Sequence, residues 1–456
     1  MELQDRIRIF ESISIPRAVA SLAIPTILTN MVMIIYSLAD TFFVGIIADP
    51  VQNAAVTLSG PLLLAFNAIN NLFGVGCSSM ISRSLGRKDY DTVRKISSFG
   101  FWISFFCAVC FALLATAFKP FLLRIMGVTP ETMDATAAYL RWTVTFGACP
   151  AILNVIMAYM VRSEGSSLHA SIGVMSGCLL NIILDPIFIL PEGFGLGAEG
   201  AGIATYISNC FALFYFVILI LVKHRRKTTF LSISPRDFAF SRSVTVGICA
   251  VGIPASIQNL LNVTGMMIFN NYAAAFGANA VAGIGIAQRI HNVPMSIAMG
   301  CAQGIMPLVS YNWASGNRER MKESLVFARR IMLIFLCAVG VVFWFFPDFF
   351  IKLFMDLPAV VDIGSSMLRG LSFTLPLLAL DFISVHVFQA IGRGRNSLMF
   401  ALTRKLFLEI PLLVILNRIW PLYGLPYAQV ITEVVLASVG VVYVNRILRE
   451  EPEASL

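Results

Sequence analysis

Few acidic side chains occur inside the apolar stretches of this chain, and those few are the residues whose types and spacing could do chemistry. Asp185, in CLLNIILDPIFIL, follows Asn181 by four residues. On a helix that spacing puts carboxylate and amide on one face, one turn apart. Asp40 stands in NMVMIIYSLADTFFVG, and Thr205, in GAEGAGIATYIS, adds a hydroxyl. Pro186 and the glycines at 195, 197, 200 and 202 leave backbone carbonyls free nearby. This set of oxygen donors could hold a sodium ion or share a proton. An ionised side chain deep in a spanning helix costs about 2.5–3.5 kcal/mol on insertion scales, so each such residue needs a compensating reason to be there. Two carboxylates in one buried site repel when both are ionised, which equips the pair to exchange a proton.

The second half of the chain has its own ionisable candidates, Asp381 in LPLLALDFISVHVFQAIGRG and Glu409 in LFLEIPLL, with Glu433 in the last apolar segment. Arg289, in IAQRIHNVP, is expected to pair with Glu433, as a structural ion pair or a gate facing the cytoplasm, and His386 reads as a satisfied core residue. Prolines at 25, 61, 150, 254, 294, 307 and 376 interrupt apolar segments and mark bending points. Tyr36, Phe66, Met157, Tyr159, Met266, Phe269 and Met299 are the candidates for lining a permissive apolar substrate cavity. The nine cysteines all lie in apolar stretches with no paired loop spacing, and Cys107 and Cys110 have no histidine nearby, so neither a disulfide framework nor a metal site is expected.

The elements that position these residues are membrane helices. A chain of 456 residues that is 58% apolar and 13% charged departs far from the composition of soluble domains, and its mean hydropathy is +0.82. The formal charge of +8 does not point to nucleic acid, because the basic residues are spread between apolar blocks. A spanning helix needs about 20 mainly apolar residues, and twelve segments qualify: 17–47, 53–82, 93–118, 132–162, 168–190, 198–222, 242–275, 280–312, 320–346, 362–391, 395–416 and 422–447. With the N-terminus inside, the cytoplasmic connections collect Arg6 to Arg17, Arg83 to Lys95, Arg162, Lys223 to Arg242, Arg318 to Arg330, Arg393 to Lys405, and Arg446 with Arg449. The opposite loops hold only Lys119, Arg124, Lys352 and Arg418. The positive-inside rule therefore predicts a multi-pass protein with both termini cytoplasmic. No cleaved signal peptide is expected from MELQDRIRIFESISIP.

The chain also aligns with itself. A shift of about 228 residues brings LAIPTILTN (22–30) over VGIPASIQN (251–259), and SLGRKDYDTVRK (84–95) over ASGNRERMKESL (314–325), with Gly86 above Gly316. Arg141 meets Arg369, Gly165 meets Gly392, and LDPIFIL (184–190) meets LEIPLLV (408–414). Two copies of a six-helix unit follow, and because six is even, both enter the membrane from the same side. The predicted organisation is an N-lobe of helices 1–6 over residues 1–222, a cytoplasmic linker over 223–241, a C-lobe of helices 7–12 over 242–447, and a tail over 448–456. A cleft between the lobes is the natural place for a substrate.

At these residues the chain resembles the multidrug and toxic compound extrusion (MATE) family, in particular its bacterial MepA-like branch. The resemblance covers essentially the whole chain. It rests on IPTILTNMVMIIYSLADTFFVG, SRSLGRKDYDTVRK, LLNIILDPIFIL and GLGAEGAGIATYIS taken as a set. It implies an all-α fold of twelve transmembrane helices in two pseudo-symmetric six-helix bundles, in the cytoplasmic (inner) membrane of a bacterium. It also implies a secondary active exporter rather than an enzyme: H+ or Na+ enters as a lipophilic, often cationic, small molecule leaves by alternating access. The coupling cation is then expected at Asp40, Asn181, Asp185 and Thr205, with no cofactor and with one chain sufficient for function. Members with a C-lobe cation site are expected to carry a glutamate in helix 7, where this chain reads PASIQNLLNVTG. Gln258, Asn259 and Asn262 are neutral, which argues against a site centred on Asp381.

Two other readings compete. A lipid-linked oligosaccharide flippase of the same superfamily would need several cavity-facing Arg or Lys for a pyrophosphate, and the intramembrane charges of the outer half are mostly acidic. An intramembrane aspartyl protease would use Asp40 and Asp185 as a dyad, yet neither has a G-x-G-D motif and the internal repeat is left unexplained.

Overall fold

The computed structural model describes residues 3–449. After a short N-terminal helix, Leu3–Glu11, the chain forms twelve long helical stretches: α1 (Ile15–Ile46), α2 (Pro50–Gly86), α3 (Tyr90–Ala117), α4 (Met133–Phe146 with Ala148–Ser163), α5 (Ser167–Ile189), α6 (Gly197–Arg225), α7 (Arg242–Ala274), α8 (Ala278–Ala314), α9 (Arg318–Phe345), α10 (Pro358–Ser372 with Thr374–Ala390), α11 (Gly394–Leu402, Thr403–Glu409 and Ile410–Ile419) and α12 (Leu425–Ile447). The protein is an all-helical multi-pass membrane protein. Among the described residues nine helices are long and apolar enough to cross a bilayer, and eleven when the bent α4 and α10 each count as one span. The remaining one, α11, is kept out of that count by its charges, among them Arg404, Lys405 and Glu409. The tail expected at 448–456 lies, beyond Arg449, outside the described residues.

Local chemistry explains the irregularities. The axis of α4 turns by 48° and that of α10 by 47°. In each case a proline sits just past the break. Pro150 has no N–H to give to Phe146 O, nor Pro376 to Ser372 O, so the helical ladder opens there. Both prolines were expected as bending points. Among the described residues three stretches are π-helical, Asn71–Val75, Arg141–Phe146 and Thr403–Glu409, a departure that often marks functional positions.

Paired features recur at the expected offset. Gly165 and Gly392 both take φ of 84°. Lys88 (φ 60°) precedes Asp89, whose side chain accepts the Thr92 N–H and caps α3, and Gly316 (φ 79°) precedes Asn317, which caps α9 through the Arg320 N–H. In position and conformation the counterpart of Gly316 is thus Lys88, two residues from the Gly86 that the sequence pairing selects. Gly86 ends its helix in ordinary helical geometry, because the left-handed turn comes later.

Packing divides the chain into two units. One comprises the residues up to Phe10 together with Leu28–Ser256, and the other Glu11–Ile27 together with Ile257 onward. The first part of α7 thus packs in the N-terminal unit and the first part of α1 in the C-terminal unit. Glycines make these approaches possible. A Cβ on Gly252 of α7 would lie 1.9 Å from Leu72 O of α2, and one on Gly304 of α8 would lie 2.7 Å from Ala23 Cα of α1. Small residues let membrane helices approach to backbone contact in this way. Ser256 Oγ also donates to Ala68 O (2.6 Å), and in the C-terminal unit Tyr311 donates to Glu11 Oε1 (2.6 Å) and Arg320 to Ile13 O (2.6 Å).

The linker over 223–241 is fixed to the N-terminal unit. Thr229 Oγ1 and Phe230 N–H donate to the buried carboxylate of Glu164, Ser98 and Trp102 donate to the carbonyls of Ser234 and Ile233, and Phe230 stacks on Tyr90 at 4.1 Å.

Candidate functional site

Inside the N-terminal unit α1, α4, α5 and α6 bring together the polar residues expected there. Asp185 and Asn181 are buried on one face of α5, as their spacing requires. α6 lies close against this helix, since a Cβ on Gly177 would meet Ala212 Cβ at 3.1 Å and Ser208 O at 3.2 Å. That approach carries Thr205 to Asn181. The Asn181 amide fits the pocket one way round: Nδ2 donates to Asp185 Oδ2 (2.9 Å) and Oδ1 accepts the Thr205 N–H (3.1 Å), since the reverse would set the amide nitrogen against that N–H. This arrangement suits an ionised Asp185.

Asp40, on α1, completes the site. It lies near enough to Asp185, Tyr36 and Tyr139 for the four groups to act on one another electrostatically. Tyr36 is one turn before Asp40 on α1, so a residue expected to line a substrate cavity falls in the carboxylate site. Tyr139, from α4, was not expected, because nothing in the sequence distinguishes it from other aromatic residues. Also unexpected is a ladder of amides behind Thr205: Asn209 Nδ2 donates to Thr205 O (2.9 Å), and Asn154 Nδ2 donates to Asn209 Oδ1 (2.8 Å) and Pro150 O (2.8 Å). Asn209 follows Thr205 by four residues, a spacing that could have revealed it. The ladder ties the site to the α4 bend.

An apolar layer lies one turn beyond the carboxylates, at the end where α1 leads into α2 and α5 into α6. Val44, Ile189, Ala201 and Tyr139 are buried there, with Phe43, Ile47, Val56, Leu63 and Leu190 packed against them. Val44 follows Asp40 by four residues, Ile189 follows Asp185 by four, and Ala201 precedes Thr205 by four. The sequence period therefore stacks polar and apolar layers in register. Past this layer Gln52 Oε1 accepts the Ala198 N–H (2.8 Å) and satisfies the start of α6.

The other expected cavity residues are dispersed. Phe66, Met157 and Phe269 are buried, and Phe66 meets Phe111 edge to face at 5.5 Å. Tyr159 packs against Gly74, whereas Met266 and Met299 are exposed.

In the C-terminal unit Asp381, on α10, and Glu433, on α12, are joined by Arg404 of α11. Arg404 Nη1 donates to Asp381 Oδ2 at 3.0 Å and Nη2 donates to Glu433 Oε1. Lys405 donates to both oxygens of Glu409 (2.7 and 2.6 Å), and its amine lies over Gly265 of α7, where a Cβ would come within 2.9 Å. The π-helical turn turns Arg404, Lys405 and Glu409 inward together. Two expectations are corrected. Glu433 pairs with Arg404 rather than Arg289, which is exposed on α8. Arg404 and Lys405 are buried ion-pair partners rather than cytoplasmic topology charges, because three carboxylates compensate them. The neutral Gln258 accepts from Gln389 (3.3 Å), and His386 Nδ1 donates to Phe382 O (2.8 Å), as a satisfied core residue does.

Comparison with known proteins adds an independent line. The family model described as MatE matches residues 25–187 and again 254–415, consistent with the expected repeat. The multidrug export protein MepA of Staphylococcus saprophyticus subsp. saprophyticus is 31% identical over 442 residues, which cover 96% of this chain and 95% of that protein. A solved structure described as an outward-facing conformation of a multidrug resistance MATE family transporter of the MOP superfamily superposes with a TM-score of 0.88 at 27% identity, over 94% of this chain and 95% of that one. A crystal structure of MATE in complex with MaL6 superposes with a TM-score of 0.90 at 27% identity, over 97% and 98%.

Proposed function

The chain belongs to the MatE family of multi-pass membrane transporters, and on that premise we propose that it exports lipophilic, often cationic, small molecules in exchange for H+ or Na+. The observation that carries this reading is the pairing of carboxylates from two helices, Asp40 of α1 and Asp185 of α5, behind an apolar layer and beside an amide that donates to Asp185. An export protein named for multidrug substrates that aligns over nearly the whole chain supports the substrate class.

Asn181 links the carboxylate to α6. Its amide nitrogen donates to the ionised Asp185 while its amide oxygen takes the Thr205 N–H. A proton or sodium ion arriving at Asp185 weakens that charge-assisted bond, and the change reaches α6 through Thr205 and the α4 bend through Asn209 and Asn154. The cycle alternates access to the two sides of the membrane, in the cytoplasmic membrane of a bacterium, with both termini cytoplasmic and one chain sufficient.

The test is transport in liposomes. Efflux of a fluorescent lipophilic cation is followed under separately imposed proton and sodium gradients, for the native chain and for Asp40→Asn. One gradient should drive efflux, and the variant should abolish it. No dye movement under either gradient would sink the multidrug reading and favour a lipid-linked substrate.

A further inference from the structure

The linker between α6 and α7 takes no part in the exchange proposed above, yet its composition and surface are unlike those of a loop that faces only water. Residues 223–242, KHRRKTTFLSISPRDFAFSR, hold six Lys or Arg against one acidic residue, Asp237, whose carboxylate already accepts the Ser232 hydroxyl. Arg225, Arg226, Lys227, Arg236 and Arg242 are exposed, and none has an ion pair among the described residues. Elsewhere on the surface cations are paired, Lys95 with Asp91 (2.6 Å) and Arg141 with Glu199 (2.8 Å). Between Arg236 and Arg242 the linker is aromatic. Phe238 and Phe240 pack on Phe99 of α3, with ring centroids 5.8 and 5.9 Å away, and both remain exposed, Phe240 by 76%. Hydrogen bonds hold them there: Ser98 Oγ donates to Ser234 O (2.7 Å) and Trp102 Nε1 to Ile233 O (3.1 Å), from about two and three turns into α3. Exposed apolar surface continues from this strap along both helices. On α7 it runs through Val246, Ile253 and Leu260, spaced seven residues apart, and on α3 from Trp102 through Phe105 and Phe106. Aromatic rings at the head of such a stripe, flanked by arginines, belong at the level of lipid headgroups.

We propose that the strap over residues 233–242 is a binding surface for an anionic phospholipid of the adjacent leaflet, the inner one in the topology proposed above. Arg236 and Arg242 take the phosphate-bearing headgroup, and Phe238, Phe240 and Trp102 cover the start of its acyl chains. Arg225, Arg226 and Lys227 add attraction from the end of α6. Charge decides the lipid class. A zwitterionic headgroup brings a cation of its own, which the arginines repel, whereas a headgroup of net negative charge answers their unpaired charge; clusters of about four to eight Lys or Arg beside a spanning helix attract anionic lipid in this way. The rings decide for a lipid over a soluble phosphate, which would leave Phe240 in water. A lipid seated there bridges the linker, α3 and the start of α7, all within the N-terminal unit.

Quenching of Trp102 fluorescence tests this on the full chain in liposomes that carry brominated phosphatidylglycerol or brominated phosphatidylcholine at equal fractions. The Trp102 signal is the difference between the native chain and Trp102→Phe, which keeps an aromatic ring. Brominated phosphatidylglycerol should half-quench it at a fraction lower by about fivefold or more, and the preference should shrink as NaCl is raised. Arg236→Gln combined with Arg242→Gln should abolish the preference. Lys322→Gln combined with Arg330→Gln, which removes cations of the C-terminal unit, should leave it intact, and excess glycerol phosphate should not displace the lipid. Equal quenching by the two lipids would overturn the proposal, as would a preference that survives loss of both strap arginines. A preference that falls equally in the Lys322, Arg330 variant would overturn it by showing a diffuse field of basic loops, and displacement by glycerol phosphate would do so by showing a site for soluble anions. Were Trp102→Phe not to fold, total quenching compared between the native chain and the Arg236→Gln, Arg242→Gln variant would decide in the same way. The readout needs neither a substrate nor a gradient, so failure of the export assay and failure of this surface are separate results.

Discussion

Replacing Asn181 by leucine removes the amide that donates to Asp185 while keeping the side chain's branching. In the ionised state the variant loses a hydrogen bond to a charged group, the 2.9 Å contact from Nδ2 to Asp185 Oδ2, worth about 1.5–3 kcal/mol. In the protonated state the same Nδ2 contact is a neutral hydrogen bond to a carboxyl oxygen, worth about 0.5–1.5 kcal/mol. The bond from the Thr205 N–H to Oδ1 is the same in both charge states and cancels. The difference, on the order of 1–1.5 kcal/mol, disfavours the ionised form, and about 1.4 kcal/mol corresponds to one pH unit. The sign follows: a group that loses a partner for its charged form gives up its proton only at higher pH. The midpoint of the pH dependence of efflux should therefore move about one unit to the alkaline side, with maximal flux changing less. The assay is dye efflux from liposomes at a fixed pH difference, repeated across a series of absolute pH values, with thermal unfolding as a check on folding. An unmoved midpoint, or one displaced to the acid side in a variant that unfolds like the native chain, would refute the assignment of Asn181 as the partner of the ionised Asp185.

Two further predictions concern stability. Gly252→Ala should destabilise the N-terminal unit by about 1–3 kcal/mol, the usual cost of overpacking, because its Cβ would fall 1.9 Å from Leu72 O, a backbone atom that cannot rotate away; an unfolding temperature in detergent equal to that of the native chain would contradict the close approach of α7 to α2. Lys88→Gly should stabilise by about 0.5–1 kcal/mol, because Lys88 holds φ of 60° at the position where its counterpart is Gly316; a lowered unfolding temperature would show that the lysine side chain contributes more than its strained backbone costs.

What could be read from the sequence divides along the range of the forces involved. Hydropathy over about 20 residues and the four-residue step from Asn181 to Asp185 are local, and they located the membrane helices and one face of the N-terminal site. Pro150 and Pro376 act within a single turn, and the α4 and α10 axes bend beside them. Tyr139 is a different case: tertiary packing of α4 brings it beside Asp40 and Asp185, which no spacing along the chain encodes. Arg404 and Lys405 show why the rest was hidden. Taken alone, two adjacent cations at the edge of an apolar segment belong in the cytoplasm, since burying either without a partner is expensive. Their compensation comes from Asp381, 23 residues earlier, from Glu433, 29 residues later, and from a π-helical turn that carries Glu409 round with them. Only the packed C-terminal unit makes that burial affordable, so the same side chains that define topology on a sequence become a charge cluster in the fold. The cation that pairs with Asp381 is therefore found on α11, 23 residues further along the chain, and no local pattern of the sequence points to it.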